Sequence, residues 1–285
     1  MSKSAAVNES TSGVPVDGVA VTAIGVAVIR ARESAREDRL YDDPVARHFV
    51  DAARSGFDAG RWARLEELAE QFYEGRTVGV HLVDERVRAA VEAGIHQIVF
   101  LGAGLDTRAF RMELPADVVI FEIDLPELFE FKERVLAREG LGPRCRRKVI
   151  IADLSKEWRK LLLDNGFDAD QPTLWVDEGA LGYLTKEWNQ RVVRTLTELS
   201  APGSRFGAGR YIADPDDPRY RELHRFVGNE ATGSHTAAPD FDVEQWLRGI
   251  GWNTEFHSWN DQVARLDRQV QTQDPRVGNI SAVRR

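Results

Sequence analysis

Residues 97–126 read QIVFLGAGLDTRAFRMELPADVVIFEIDLP and contain the pattern on which the fold prediction depends. An apolar run at 98–101 is followed at once by Gly102-Ala103-Gly104, and a second apolar run at 118–123 ends at Asp124. A strand, a glycine turn, a helix, a second strand and an acid follow one another in this order in the nucleotide sites of parallel α/β proteins. Because the first run shows no polar alternation, it predicts a strand that is buried on both faces.

The glycine turn predicts close contact between the backbone and a ligand that has a ribose but no diphosphate. Gly102 and Gly104 have no Cβ, so the backbone can turn sharply and approach a ligand. Asp124 lies about 20 residues beyond the first glycine, where such folds place a carboxylate that accepts hydrogen bonds from ribose hydroxyls. Thr107 replaces the third glycine of the dinucleotide fingerprint, and Asp106 would repel a diphosphate. S-adenosylmethionine is the cofactor that fits this pattern.

Strands and helices alternate after residue 95, which predicts an α/β fold with a parallel sheet and helices on both faces. The seven expected strands, of which the last two form an antiparallel pair, are 98–101, 118–123, 148–151, 173–176, 204–212, 254–259 and 279–283. Roughly the first ninety residues show helical spacing without a strand pattern, so they predict a helical cap over the sheet. We therefore expect a disordered leader at 1–16, the cap at 17–94, and a domain at 95–285 with an insertion at 214–240.

The predicted helices follow from apolar spacing and from helix-start signals. Asp42-Asp43-Pro44 combines an acidic N-cap with proline at the first turn, which predicts a helix at 45–53. The other expected helices are 19–37, 61–73, 77–93, 108–112, 127–139, 158–165, 186–199, 218–226 and 241–250.

Four predicted strand ends carry residues that suit a ligand site. Gly102, Asp124, Asp153 and Glu178 each follow a predicted strand. In an open parallel sheet, ligands bind outside the carboxyl ends of the strands, where the strand order reverses. Acids are also common at strand ends and helix caps, but three of them at one predicted edge favour a binding site.

Several motifs resemble one known family. The segments LGAGLDTRAFR at 101–111 and FEIDLPELFEFK at 121–132 resemble the class I methyltransferases of the leucine carboxyl methyltransferase family, most closely its actinobacterial branch. Other segments that agree are ARESAREDRLYDDPVARHFV at 31–50, GRTVGVHLVDERV at 75–87, IADL at 151–154 and PTLWVDEGALGYL at 172–184. The resemblance extends from about residue 27 to about residue 210. It implies a Rossmann-like methyltransferase fold with S-adenosylmethionine as the cofactor.

The resemblance also implies roles at the first two strand ends. The turn that would lie against the methionine part of the cofactor comprises Gly102, Ala103, Gly104 and Asp106. Asp124, together with the adjacent Leu125, would bind the ribose, because a charged acceptor with two oxygens suits a vicinal diol.

The resemblance implies that residues at the ends of the third and fourth predicted strands, together with Arg76, bind the other parts of the cofactor. Asp153 would accept a hydrogen bond from the exocyclic amine of adenine, and Leu154 would pack on the ring. Glu178 would lie near the amino group of the methionine moiety. Arg76 matches an arginine that pairs with the cofactor carboxylate, although the sequence by itself favours a surface arginine on a helix.

The acceptor decides whether a general base is required. Methyl transfer depends mainly on alignment in a dry cavity. A carboxylate acceptor is ionised near neutral pH and needs no base, whereas a hydroxyl acceptor needs one. Tyr183 and His235 are the candidate catalytic residues, and His81 is a third candidate base. Arg210 and Tyr211, at the end of the fifth strand, are placed to face an acidic acceptor.

Composition excludes several other kinds of site. The net charge of −8 argues against a nucleic-acid partner. The single cysteine, Cys145, excludes an intrachain disulfide and a cysteine-based zinc site, and fits a cytoplasmic protein. The six histidines show no metal-binding helix spacing, so no metal is expected. The apolar stretch at 19–29 is too short to span a bilayer. We expect a monomer or homodimer whose partner is a small-molecule acceptor.

Three functions are compatible with this sequence. The first is an S-adenosylmethionine-dependent O-methyltransferase acting on a carboxylate or hydroxyl of a secondary metabolite. The second is an NAD(P)-dependent oxidoreductase, which is disfavoured by Asp106 and Thr107 and because Tyr183 and Lys186 are one residue too close for a Tyr-x-x-x-Lys pair. The third is a cofactor-binding protein without turnover.

Overall fold

One mixed sheet forms the centre of the computed structural model, which describes residues 13–210, 218–228 and 242–285. Its strands are β1 (Gln97–Leu101), β2 (Val119–Asp124), β3 (Arg146–Ile151), β4 (Thr173–Asp177), β5 (Arg205–Arg210), β6 (Trp252–Ser258) and β7 (Gly278–Arg284). They lie in the order β3-β2-β1-β4-β5-β7-β6. The first five pair in parallel, and β7 runs antiparallel to β5 and β6. The α/β fold with seven strands and a final antiparallel pair is therefore confirmed.

Helices precede, connect and follow these strands. They are α1 (Ala20–Ser34), α2 (Pro44–Ala53), α3 (Ala59–Glu92), α4 (Arg108–Arg111), α5 (Pro126–Arg138), α6 (Arg159–Asp164), α7 (Lys186–Glu198), α8 (Pro218–Val227), α9 (Val243–Gly249) and α10 (Trp259–Val263). Asp43 Oδ1 accepts a hydrogen bond from Ala46 N at 3.0 Å, and proline begins α2, so the predicted cap is confirmed. None of the helices in the described ranges combines the length and the apolar content needed to cross a membrane.

The order of the strands reverses beside β1. The chain passes from β1 outward to β2 and β3, and then returns to place β4 on the other side of β1. Leu101, at the end of β1, is in register with Ile123 of β2 and Asp177 of β4. The residues that follow these three strands therefore meet at one edge of the sheet, where open parallel sheets bind their ligands.

Two hydrophobic clusters cover opposite faces of the sheet. Ile98 and Phe100 contribute to a cluster with α1 to α5, whereas Val99 and Leu101 contribute to a cluster with α6, α7 and α9. All five residues of β1 are buried. The double burial of the first strand and the presence of helices on both faces are confirmed.

The N-terminal helices pack directly on the sheet. Residues of α1, α2 and α3 share one cluster with residues of β1, β2 and β4, so the boundary between a cap and a domain stays a prediction. Val14 and Val16 also pack against this cluster, and Arg61 donates a hydrogen bond to the carbonyl oxygen of Val16. The packed chain therefore begins within the predicted leader, of which residues 1–12 lie outside the described ranges.

Helix α3 is one continuous helix of 34 residues, although the apolar spacing predicts two stretches that are separated near Gly75. At about 1.5 Å per residue it is roughly 50 Å long. Tyr73 and Thr77, on either side of the glycine, are buried. Packing of these neighbours outweighs the low helix propensity of glycine, which is only about 1 kcal/mol below that of alanine.

The C-terminal third differs from the prediction at its element ends. Trp259 begins α10 instead of ending a strand, because Ser258 Oγ caps this helix by accepting a hydrogen bond from Asp261 N at 3.1 Å. The helix predicted at 218–226 is confirmed as α8. The rest of the insertion predicted at 214–240, apart from Gly228, lies outside the described residues, as does Tyr211.

We expect Gly75→Ala to raise the free energy of unfolding by up to about 1 kcal/mol, because alanine favours the helix. A Cβ at this position would meet no atom within 4 Å. Chemical denaturation followed by circular dichroism measures the change. Gly102→Ala should be destabilising instead, because Gly102 has a φ of +62° and its Cβ would lie 2.3 Å from the Cβ of Ala180. A less stable Gly75→Ala variant would contradict a continuous α3.

Candidate cofactor site

The glycine turn after β1 has the sharp backbone that its sequence predicts. Gly102 and Gly104 have φ angles of +62° and +51°, which side chains with a Cβ rarely adopt. Between them, Ala103 N donates a hydrogen bond to Ile123 O at 3.0 Å, so the turn folds over the end of β2. Ala180 packs against the open side of Gly102. The turn therefore lies between the ends of β2 and β4.

Asp124 ends β2 directly beside this turn. One carboxylate oxygen accepts a hydrogen bond from Gly104 N, and the other accepts one from Leu125 N at 2.7 Å. Burial raises the pKa of Asp124, and these two backbone donors oppose that shift. Each oxygen has a further lone pair for another donor. This arrangement suits two ribose hydroxyls, which would stabilise the charged carboxylate.

Asp153 and Leu154 follow the end of β3. The backbone of β3 continues beside Asp124, whose carbonyl oxygen accepts a hydrogen bond from Ala152 N at 2.9 Å. Asp153 Oδ1 accepts hydrogen bonds from Ser155 N at 2.8 Å and Ser155 Oγ at 2.7 Å. Burial opposes ionisation of Asp153, but these bonds outweigh it and lower the pKa. Leu154 is buried in the cluster with α6.

Arg76 and Glu178 meet above the end of β4. Arg76 Nη1 donates a hydrogen bond to Glu178 O at 3.0 Å, so α3 reaches across to the edge of the sheet. The carboxylate of Glu178 accepts a hydrogen bond from Arg108 Nη1. The structure therefore brings an arginine and a glutamate together where the resemblance implies the carboxylate and amino groups of the cofactor.

The carboxylate of Asp106 is bound by Arg108, and its place beside the methionine part of the cofactor stays a prediction. Its side chain is buried, and its carboxylate accepts hydrogen bonds from Arg108 N at 2.8 Å and from Arg108 Nη1. The carboxylate therefore supports the turn from below and is neutralised by Arg108. Because Arg108 neutralises Asp106, the repulsion of a diphosphate that the sequence suggests is reduced.

Asp177 belongs to the site, although sequence reasoning selected only its neighbour Glu178. Asp177 Oδ1 accepts hydrogen bonds from Gly179 N at 3.2 Å and Leu181 N at 3.1 Å. It thereby fixes the loop from Glu178 to the 3-10 turn that ends at Tyr183. Burial raises the pKa of Asp177 to about 6. The sequence feature that identifies Asp177 is its position as the last residue of an apolar strand.

Tyr183 lies between the N-terminal helices and the end of β4. Burial raises the pKa of Tyr183, while the charge of Arg76 and a hydrogen bond with Thr22 oppose the shift. Tyr220 of α8 acts on the same hydroxyl, so α8 lies close to it. The raised pKa favours the protonated phenol, which can donate a hydrogen bond to a ligand, so a catalytic role for Tyr183 stays a prediction.

Of the other candidate residues, His81 is bound within the helical layer, and the rest lie wholly or partly outside the described residues. His81 Nδ1 is 3.2 Å from Leu40 O, and its Nε2 is 3.5 Å from a carboxylate oxygen of Glu85. These contacts use both ring nitrogens within the helical layer. His235 and Tyr211 lie outside the described residues, and so does the side chain of Arg210.

Two cavities lie away from this edge. One, of about 270 Å³, lies between α3 and α8 and is lined by Arg61, Arg64, Glu222, Arg225 and Phe226. The other, of about 150 Å³, lies between α3 and strands β4, β5 and β7. Neither is lined by the residues after β1, β2 and β3. The candidate site is therefore defined by the residues at the strand ends and by their chemistry, and not by either cavity.

The groups at the strand ends fit S-adenosylmethionine by their own chemistry. Asp124 is a half-buried carboxylate with spare acceptor capacity for a diol. Glu178 and Arg76 provide an anion and a cation for the ammonium and carboxylate of an amino acid. The glycine turn lies between these two places, at the reversal of strand order.

A family model described as leucine carboxyl methyltransferase matches residues 23–197. The chain belongs to this family. A relative from Parafrankia sp., named as an S-adenosyl-L-methionine-dependent methyltransferase, is 46% identical over an alignment of 278 residues that covers 94% of this chain and 87% of the relative. A relative from Mycobacterium tuberculosis (strain ATCC 25177 / H37Ra) with the same kind of name is 34% identical over an alignment of 275 residues that covers 89% of this chain and 86% of the relative.

The fold agrees with a solved structure of a methyltransferase. The crystal structure from Thermobifida fusca YX matches with a TM-score of 0.56 and 20% identity, over 94% of this chain and 95% of that one. The expected family, the class I methyltransferase fold and S-adenosylmethionine as the cofactor are thus confirmed. This member of the leucine carboxyl methyltransferase family is an S-adenosylmethionine-dependent methyltransferase. This assignment disfavours the alternative function of an NAD(P)-dependent oxidoreductase.

We expect Asp124→Asn to weaken binding of S-adenosylhomocysteine by about 10- to 100-fold, because hydrogen bonds to a charged acceptor contribute roughly 1.5–3 kcal/mol. Isothermal titration calorimetry measures the affinity. In the wild type the affinity should also fall as the pH is lowered through the raised pKa of Asp124, since protonation removes the charge. An unchanged affinity in the variant would contradict the ribose assignment.

Asp177→Asn tests the buried acid at the end of β4. Its pKa is raised from 3.8 to about 6 on folding, so ionisation destabilises the folded protein as the pH rises through this interval. The amide oxygen of asparagine can still accept the bonds from Gly179 and Leu181. We therefore expect the variant to gain stability relative to wild type between about pH 4 and pH 7, as measured by urea unfolding. A difference independent of pH would show that Asp177 does not titrate there.

Proposed function

We propose that this enzyme transfers the methyl group of S-adenosylmethionine to an oxygen atom of a small-molecule acceptor, either a carboxylate or a hydroxyl, in secondary metabolism. The observation that carries the proposal is the meeting of Gly102, Asp124 and Glu178 at the reversal of strand order. An enzyme of this composition and charge would act in the cytoplasm, as a monomer or homodimer, on an acceptor that is neither nucleic acid nor membrane lipid.

Each part of the cofactor has a proposed protein partner. Asp124 and the backbone at Leu125 would hold the ribose, and Asp153 with Leu154 would hold adenine. The turn Gly102-Ala103-Gly104, which Asp106 supports through Arg108, would leave room for the methionine chain. Glu178 and Arg76 would bind its ammonium and carboxylate groups. The bound cofactor supplies an activated methyl group, so the protein has mainly to align the acceptor and exclude water.

Tyr183 is proposed to orient the acceptor. Its protonated hydroxyl can donate a hydrogen bond to an acceptor oxygen, and it lies beside Arg76 at the level of the β4 loop. This favours an ionised carboxylate, which accepts such a bond and needs no base. For a hydroxyl acceptor, the proposed base is His235.

The proposed function is tested by calorimetric titration with S-adenosylhomocysteine and with NADH, followed by transfer assays with labelled S-adenosylmethionine. We expect binding of the first ligand and not the second, and methyl esters or ethers from a panel of aromatic and aliphatic acids and phenols. A rate that is flat from about pH 6 to pH 9 indicates a carboxylate acceptor, whereas a rate that rises with pH indicates an ionising hydroxyl. Binding of NADH alone would contradict the proposal, and transfer to nitrogen or sulfur acceptors would contradict O-methylation.

Tyr183→Phe should raise the KM for the acceptor and leave the affinity for S-adenosylhomocysteine within about twofold, because only one neutral hydrogen bond to the acceptor is lost. Steady-state kinetics and calorimetry measure the two quantities separately. Loss of cofactor affinity with an unchanged KM would place Tyr183 in the cofactor site instead.

A further inference from the structure

The guanidinium group of Arg108 is held from several directions in the interior. Arg108 is 1% exposed. Its Nε donates to Asp84 Oδ1 at 2.7 Å, its Nη2 donates to Val80 O at 3.3 Å, and its Nη1 donates to both Asp106 and Glu178. The group also stacks over Phe100, 5.3 Å from the ring centroid. This combination leaves Arg108 a single orientation.

Glu178 is the one acid bound to Arg108 that reaches solvent. Its side chain is 26% exposed, whereas those of Asp84 and Asp106 are 0% and 8% exposed. Asp84 holds the far side of Arg108 from α3, and Glu178 lies on the side that faces the end of β4. Arg108 therefore links the buried carboxylate of Asp84 to the partly exposed carboxylate of Glu178.

The ion pairs around Arg108 continue into a larger buried cluster. Arg111 binds Asp84 through two bonds of 2.7 Å and lies 3.8 Å from Asp43, which Arg30 binds at 3.2 Å. The members joined in this way are the acids Asp43, Asp84, Asp106 and Glu178 and the arginines Arg30, Arg108 and Arg111. The guanidinium group of Arg76, which binds the backbone oxygen of Glu178 at 3.0 Å, brings a fourth positive charge beside these four carboxylates. Glu178 is the most exposed acid of the cluster.

We propose that Arg108 is a positioning residue, which fixes the Glu178 carboxylate so that it faces the ammonium group of the bound cofactor. This inference rests on the proposed function, since it requires the cofactor at the end of β4. It adds a role for Arg108 and for its anchor Asp84, neither of which touches the ligand. A planar fork can bind both acids at once, whereas lysine, a single point charge, cannot hold the same geometry.

Arg111 provides a matched control. It is buried to the same degree, carries the same charge and binds the same Asp84, but it has no contact with Glu178. Arg108→Lys and Arg111→Lys both keep the charge and lose the fork. If the cluster only stabilises the fold, the two variants should behave alike. If Arg108 positions Glu178, ligand binding should distinguish them.

The test compares two ligands in each variant by calorimetry. S-adenosylhomocysteine has the amino acid group, and 5′-methylthioadenosine has the same adenine, ribose and sulfur without it. We expect Arg108→Lys to weaken S-adenosylhomocysteine binding about tenfold or more and to leave 5′-methylthioadenosine within about twofold. Arg111→Lys should leave both affinities within about twofold. Equal weakening of both ligands, or equal effects of the two lysine variants, would overturn the proposal.

Two further variants keep the test decisive if Arg108→Lys does not fold. Glu178→Gln should show the same selective loss of S-adenosylhomocysteine, because the accessible charge is removed. Asp84→Asn changes no ligand contact but removes the charged anchor of Arg108, so it should also weaken S-adenosylhomocysteine about tenfold and spare 5′-methylthioadenosine. An Asp84→Asn variant with wild-type affinity for both would overturn the proposal. Failure of the wild type to bind either ligand would instead overturn the cofactor site and the proposed function.

Discussion

The packing of this enzyme depends on neutralising buried charge. Asp84 of α3 is fully buried and is held by Arg108 and Arg111 of α4, the helix that follows the glycine turn. Removing one partner from such a buried pair costs roughly 3–5 kcal/mol, because the other charge is left without compensation. Helices α3 and α4 must therefore be in place together. This requirement agrees with the hydrophobic cluster that α3 shares with the sheet.

Two other buried acids, Glu33 and Glu122, are also paired with basic side chains. Glu33 of α1 accepts hydrogen bonds from Tyr73 at 2.5 Å and from Arg268 at 2.8 Å, which joins the segment before β7 to the N-terminal helices. Glu122, inside β2, is bound by Lys132 of α5 at 2.6 Å and by the guanidinium group of Arg147 on β3. Each buried acid thus joins different elements of the fold, and the charge of its basic partner offsets the cost of leaving water.

The parts of the site that could be predicted are those that depend on local backbone. Gly102 and Gly104 require a left-handed conformation, and Asp124 follows an apolar strand, so a short stretch of sequence is sufficient to place them. Arg108 and Asp84 could not be found in this way, because an acid on a helix gives no local signal of its partner 24 residues later. The position of Asp106 in the turn is likewise local, whereas the direction of its carboxylate depends on its contact with Arg108.

The position of β7 has a consequence for synthesis of the chain. β6 has no pairing with β5 and joins the sheet only through β7, which is made later and lies between them. While the ribosome has not yet released residues 278–284, the growing protein carries an unpaired sheet edge at β5 and a β6 segment without a neighbour. Such edges pair readily with other chains. The period between translation of β5 and emergence of β7 is therefore an interval in which this protein is exposed to aggregation.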